Sequence, residues 1–246
     1  MFLAAEGTPN GELIFHYDPQ LALTRFSKPR RGRGRLVIGQ LGQSLDGRIA
    51  TPTGASKYIN GKEALTHLHR LRASVDAVIV GVGTAVADDP QLTCRHVPGV
   101  HPTRVVIDPN GRLPRDLQML QDGSAPVLVV TTPGRPVPAG AEALEIAPDA
   151  EGRIAPDAII AALDARGLTR LLVEGGAETL ARFVDAGLVD ELHLMLAPIV
   201  LGSGKTGINL APITALDEAL RPMVRTMLFD DGDMLCVCEF QRAESD

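Results

Sequence analysis

Four times along the chain a short apolar run ends abruptly in glycine, acid or hydroxyl: residues 77–80 before Gly81, 104–107 before Asp108, 127–130 before Thr131 and 171–173 before Glu174. Runs of that length, rich in Val, Leu and Ile and without polar alternation, read as strands buried on both faces of a sheet. The run LVIGQL at residues 36–41 is the first of the kind, and ELHLMLAPIV at 191–200 is a later one. Between them lie helical stretches. Residues 61–73 place Leu65, Leu68 and Leu71 on one side, with Asn60 as the predicted cap, and a second helix is predicted from Gly176 through Asp185. The chain closes with RTMLFD and MLCVCEF flanking Asp231-Gly232, a hairpin signal. Helices interleaved with strands and then a terminal hairpin predict an α/β fold, a mixed and mostly parallel sheet in one domain over residues 36–246, with residues 1–35 as an extension or linker.

Loops at the ends of buried strands are where such folds take their ligands. After strand 77–80 come Gly81 and Gly83, then Thr84 and the pair Asp88 and Asp89 before Pro90. This is either a ligand loop or a tight turn whose acids cap a short helix. Adjacent acids on a turn diverge, and no His or Cys cluster is near them in sequence, so neither a paired acid/base nor a metal is expected there. Glu174 is poorly placed for solvation, at the end of a buried strand where Gly175 and Gly176 begin, so it needs a partner or a ligand hydroxyl. The diglycine opens a helix whose free N–H groups suit a phosphate, or it merely allows helix and strand to pack closely. His67 and His69 stand two apart on a helix, cannot share a metal, and read as satisfied or exposed, while His193 reads as a packing residue.

Composition narrows the classes. Of 246 residues 45% are hydrophobic but only 3% aromatic, with no Trp, so the core is built of Val, Leu, Ile and Ala. A net charge of −6 leaves no electrostatic footprint for nucleic acid or anionic membrane, and the basic run at 28–35 reads as a solvated linker. No run approaches the roughly 20 apolar residues of a membrane span, and no signal peptide is seen. With Cys94, Cys236 and Cys238 as an odd set, a reducing, cytoplasmic setting is expected. GSGKTG at 202–207 is not a phosphate loop, because Ile199 stands where the first glycine is required, and no GxGxxG is present. The residues alone thus point to a small-molecule enzyme with strand-end loops converging on an anionic ligand, its reaction unnamed.

SLDGRIA (44–50), GASKYI (54–59), HRLRA (69–73), GVGTAVADDPQLTCR (81–95), VIDPNGRLP (106–114), VEGGAETL (173–180) and LVDELHLMLAPIVLG (188–202) occur in this order. Together they resemble the reductase domain of the bifunctional riboflavin-biosynthesis deaminase/reductase, a relative of dihydrofolate reductase, over about residues 36–240. The resemblance implies a dihydrofolate-reductase-like sheet, NADPH as hydride donor, and a phosphoribosylamino-pyrimidine of the 5-amino-6-(5-phosphoribosylamino)uracil type whose ribose becomes ribityl. By matching position it puts Gly42, Tyr58, Thr84, Asp88, Asp108, Pro109, Gly175, Gly176, Ala177, Glu178 and Thr179 at the cofactor. It puts Ser56, Arg72, Leu92 and Arg95 at the substrate, with the arginines on its phosphate, and Glu174 between sugar and nicotinamide as the catalytic residue. It implies no metal, and a homodimer, for which the strand at 192–200 is a candidate edge. Arg112 is the cation suspected of meeting a 2′-phosphate.

Departures from the family are Tyr58 where many members have Trp, Gln40 where many have Lys, and no zinc-deaminase signature. The alternatives are a reductase of the same fold acting on another pyrimidine or pterin, and a nucleotide-binding paralogue without turnover.

Overall fold

The structure is a computed structural model that describes residues 34–57 and 59–240, together with the backbone of two short strands, β1 (Leu3–Gly7) and β2 (Leu13–Tyr17). Those two pair antiparallel in a sheet of their own. Tyr58 and most of the basic run at 28–35 lie outside the described residues.

The main sheet is built from β3 (Leu36–Ser44), β5 (Ala77–Gly81), β6 (Thr103–Ile107), β7 (Val127–Thr131), β8 (Glu142–Glu145), β9 (Arg170–Glu174), β10 (Glu191–Ala197), β12 (Met223–Leu228) and β13 (Met234–Glu239). Its order is β12-β13-β10-β3-β9-β5-β6-β7-β8. Neighbours from β10 to β8 are parallel, and only the β10/β13 and β13/β12 pairs are antiparallel. This is the mostly parallel mixed sheet with a terminal hairpin that the sequence predicts. Strand 191–200 is not an edge, however. As β10 it lies between β3 and β13, so the outer edge on that side is β12.

Period-2 alternation divides the core into two layers. Val37, Ile79, Val105, Leu128 and Val173 pack with Ile159, Ile160 and Leu163 of α4 (Pro156–Asp164) and with Leu180 and Phe183 of α5 (Ala177–Asp185). Their alternates Ile38, Val78, Val80, Val106, Val129 and Leu172 pack on the other face with Leu71 of α1 (Lys62–Ala73) and Met119 of α3 (Gln118–Gln121). Each fully buried Val or Leu contributes roughly 1.5–3 kcal/mol, and the strands carry few polar residues to offset it.

Three local departures matter for the site. The stretch after β5 is not a loop but a seven-residue helix, α2 (Val82–Asp88), with Gly81 as its N-cap. The helix α1 begins at Lys62 with Gly61 as N-cap and no capping side chain of its own, so Asn60 does not cap it. Its first amides are capped instead from the hairpin, where Asp233 Oδ2 accepts the Gly61 N–H at 2.6 Å and Asp231 Oδ2 the Glu63 N–H at 3.0 Å. Finally, β4 (Arg48–Ala50) pairs with β11 (Lys205–Thr206), tying the segment after β3 to the segment after β10. Asp46 secures the same junction by accepting from Ser44 Oγ and from the Leu201 and Gly202 N–H groups, which hold its carboxyl down at about 2.

Candidate active site

Because β3, β5 and β9 run parallel as neighbours, their carboxyl ends open on the same side of the sheet. A cleft of about 950 Å³ lies there. One wall is α1, through Ala64, Leu65 and Leu68; another is the β4/β11 pair, through Ile49, Ala50, Lys205 and Thr206. The floor is formed by Gln40 to Gly42 of β3 and by the starts of α2 and α5.

Many expected site residues meet in this cleft: Gly42, Ser56, Thr84, Asp88, Gly175, Gly176, Ala177, Glu178 and Thr179 all line it. Gly42 lets the Asn60 side chain come close, since a Cβ there would lie 2.1 Å from Asn60 Oδ1 unless that side chain moved. At the β9–α5 turn, Gly175 and Gly176 have φ of +57° and +54°, a region that side-chain-bearing residues rarely enter. A Cβ on Gly176 would approach Thr84 Oγ1 to 2.9 Å. The helix α5 has no side-chain cap, so its first N–H groups face a Cβ-free cradle edged by the Thr84 and Thr179 hydroxyls. Such a cradle fits a diphosphate, with the positive end of the helix dipole behind it.

The two adjacent acids diverge, as the turn geometry predicts. Asp88 lines the cleft. Asp89 has φ +40° and turns away, accepting the N–H of Gln118 and a proton of its Nε2, each at 2.9 Å.

The remaining expected residues lie off the cleft. Glu174 ends β9 and is 5% exposed; Arg72 reaches it from α1 and is 6% exposed. Arg72 Nε donates to Glu174 Oε1 at 2.7 Å, Nη2 donates to Oε2 at 2.6 Å, and Nη1 donates to the Thr93 carbonyl at 3.2 Å. Burial works against the Arg72 charge, and the carboxylate beside it more than restores it, so the guanidinium is more basic than usual. Arg95 is exposed and donates from Nη1 to Gln91 Oε1 and Thr93 Oγ1. Leu92 is buried in the core with φ +54°. Asp108 is fully buried at the end of β6, where its Oδ2 accepts the Leu113 N–H at 2.8 Å; neither it nor Pro109 lines the cleft. Arg112 is exposed, its Nε 3.8 Å from Asp108 Oδ1.

Sequence reasoning missed Lys57, Lys205 and Met195 in the cleft lining, because nothing local marks a lysine that faces a site. Half of the Arg72–Glu174 pair had a signal: Glu174 ends a buried run and so required a partner or a ligand hydroxyl, whereas nothing local marked Arg72 as that partner. Of the two readings left open for the helical histidines, exposure is excluded: His67, His69 and His193 are all buried. His67 Nε2 is 3.0 Å from His193 Nδ1, while His69 Nδ1 accepts the Arg95 N–H at 2.9 Å. Burial pushes His67 well below its ordinary value, with His193 and Arg70 adding to the effect. Burial first, then the charges of Arg72, His96 and Arg95, takes His69 down to about 3. Among the described residues no group of three or more His, Cys, Asp or Glu is placed to hold a metal, and no helix is long and apolar enough to cross a membrane.

The model of the RibD C-terminal domain matches residues 35–226, a span that contains every element of this cleft. The chain belongs to the RibD C-terminal domain family. The family relatives include the 2,5-diamino-6-ribosylamino-4(3H)-pyrimidinone 5′-phosphate reductase of Methanothermobacter thermautotrophicus, 36% identical over 188 residues, 74% of this chain and 86% of that one. The riboflavin biosynthesis protein RibD of Bacillus amyloliquefaciens is also 36% identical over 188 residues, but the match spans only 48% of its length. Among solved structures, the deaminase/5-amino-6-(5-phosphoribosylamino)uracil reductase of Thermotoga maritima superimposes with a TM-score of 0.71 at 27% identity, covering 84% of this chain and 57% of that one. Acinetobacter baumannii RibD gives 0.72 at 29% identity over 85% and 59%. The mixed, mostly parallel sheet that the sequence predicts is thus the sheet these RibD structures share.

Proposed function

We propose that this chain is an NADPH-dependent reductase of riboflavin biosynthesis that converts the ribose of a phosphoribosylamino-pyrimidine to a ribityl chain, with residues 36–246 as the reductase domain. The observation that carries the reading is the cleft itself, into which an uncapped helix N-terminus opens behind a positive-φ diglycine that directly follows the buried carboxylate at the end of β9. The amides of Gly176, Ala177, Glu178 and Thr179 hold the cofactor diphosphate, with Thr84 and Asp88 beside them and Gly42 leaving room along β3. Bound NADPH supplies the hydride. The chain contributes position: Glu174 accepts hydrogen bonds from the sugar hydroxyls, Ser56 and Arg95 hold the substrate, and Arg95 takes its phosphate by charge-assisted bonds. Arrangement rather than covalent help supplies most of the rate in such a reaction.

Two substrates compete. The aminouracil is what the Thermotoga maritima protein is named for, and the diaminopyrimidinone is what the Methanothermobacter relative, matched over 86% of its length, is named for. Following NADPH oxidation at 340 nm with each compound, generated in situ with and without a separate deaminase, decides between them. Oxidation with neither would remove the reductase reading. Preference for NADPH is read from the ratio of its Kd to that of NADH, and Arg112→Ala tests whether that residue contributes.

A cytoplasmic setting accords with three free cysteines. The expected homodimer falls to the outer edge strand β12, where Met223, Val224 and Leu228 are exposed. Leu228→Glu is expected to halve the mass seen by sedimentation without loss of fold.

A further inference from the structure

Residues 92–95, between α2 and β6, are held by side chains rather than by main chain. Among the described residues no backbone-to-backbone hydrogen bond involves residues 90–102. Yet Leu92 has φ +54°, and such a conformation persists only where the surroundings impose it. Leu92 itself is buried in the core. The Cys94 N–H is then accepted by His101 Nδ1 at 3.2 Å, the Arg95 N–H by His69 Nδ1 at 2.9 Å, and the Thr93 carbonyl accepts from Arg72 Nη1 at 3.2 Å. His69 and Arg72 are three residues apart on α1, so one helix face grips the segment at two points.

His69 makes its share of the grip at a cost. The residue is wholly buried, and with Nδ1 accepting, the proton of the neutral ring is on Nε2, which has no partner among the described residues. Burial, with the nearby charges of Arg72, His96 and Arg95 adding to it, holds the imidazole neutral, so Nδ1 remains an acceptor.

What the grip presents is Arg95. Both protein contacts of its exposed guanidinium, to Gln91 Oε1 and Thr93 Oγ1, use Nη1. Nε and Nη2 are left as a two-donor edge of the kind that takes two phosphate oxygens side by side. The charge that acts on Arg95 is that of Arg72, a second cation, and no acid opposes it. A guanidinium in that position is suited to an anion that the protein does not supply.

We infer that His69 is a positioning residue for Arg95: by accepting the Arg95 N–H it fixes the backbone from which that guanidinium meets the substrate phosphate. The inference rests on the reductase reading, in which Arg95 takes the phosphate, and deepens it. His69 acts through Arg95, so its loss weakens phosphate binding and leaves hydride transfer alone.

The test is binding of ribose 5-phosphate by calorimetry, which requires neither the pyrimidine nor turnover, with steady-state kinetics beside it. Arg95→Ala is expected to weaken binding at least tenfold. His69→Leu keeps a similar volume without an acceptor. It is expected to weaken binding about fivefold and to raise substrate KM by a like factor, with kcat and NADPH Kd within about twofold of wild type. His69→Asn puts Oδ1 where Nδ1 was and is expected to restore binding to within about twofold. In the Arg95→Ala background, His69→Leu is expected to change binding less than about twofold, because no guanidinium remains to be positioned. Wild-type protein supplies a readout that needs no variant to fold: the Arg95 amide, although in an exposed loop residue, is expected to exchange at least 100-fold more slowly than an open amide.

Binding unchanged in His69→Leu while Arg95→Ala loses it would overturn the inference, as would the full fivefold loss in the Arg95→Ala background or an unprotected Arg95 amide. Arg95→Ala binding like wild type would remove the phosphate from Arg95 and the positioning role with it. NADPH left unoxidised with both pyrimidines, alongside coupled His69 and Arg95 effects, would remove the reductase reading and leave the positioning of Arg95 standing.

Discussion

Glu174 and Asp108 begin with the same local description and end with different tasks. Each ends or follows a buried parallel strand, each precedes a turn containing glycine, and each is almost wholly buried. Asp108 turns inward on its own segment: its carboxylate accepts the N–H of Leu113, five residues on, and so shapes the turn that follows β6. Glu174 reaches 102 residues back to Arg72, next to a diglycine that faces the cleft. Strand order makes the difference. Glu174 is on β9, between β3 and β5, where chain crossovers leave a crevice; Asp108 follows β6, between β5 and β7, where consecutive strands close the space. Strand order is thus what separates an acid beside a crevice from one closed in by its neighbours.

The comparison is broken most directly by isosteric neutralisation. Glu174→Gln is expected to lower kcat by 10²-fold or more at saturating substrates, because an amide no longer matches the guanidinium fork; unchanged turnover would put Glu174 in the same class as Asp108. Asp108→Ala, by contrast, is expected to destabilise the fold by about 1–3 kcal/mol through the orphaned Leu113 amide. NADPH Kd and kcat should stay within twofold, and a cofactor defect larger than its loss of Tm would return Asp108 to the binding site. Gly176→Ala sharpens the cradle side. A methyl forced to φ +54° and 2.9 Å from Thr84 Oγ1 should raise NADPH Kd roughly tenfold by fluorescence titration.

Acid should act first on the Glu174 side. His67 and His69 have folded values below the ordinary 6.5. The unfolded chain therefore binds protons that the folded chain refuses, and their contribution to stability is complete above pH 6.5 and is lost as pH falls below it. For His69 the loss continues to about 3. Between pH 6.5 and 5, above the usual carboxylate range, Tm should already decline and α1 amides should exchange faster than those of β6. A flat profile there would contradict the assignment of both histidines as buried and neutral. The smallest effect belongs to the other glycine turn. Gly83 sits inside α2 with open space around its Cβ, so Gly83→Ala should raise stability by about 0.5–1 kcal/mol by urea unfolding.

Much of this protein is legible from period and punctuation. Unbroken Val and Ile runs bounded by glycine, acid or threonine announce strands buried on both faces, and they are found where expected, down to the Asp231-Gly232 turn between β12 and β13. The motif set names the family, whose model matches residues 35–226. Helix α2 was hidden since seven residues with two glycines around its start carry no amphipathic period. The capping of α1 by Asp231 and Asp233 was hidden because the donors and acceptors lie about 170 residues apart.

What the sequence by itself determined is what depends on neighbours in the chain: the strands, the closing hairpin turn and the family. Tertiary structure alone decided which strand lies beside which, and with it everything settled between distant residues. It moved strand 191–200 from an edge to the interior and joined Arg72 to Glu174. A buried charge declares only that it must be paired. Which partner satisfies it is fixed by the order of strands in the sheet, a long-range property that no local pattern encodes.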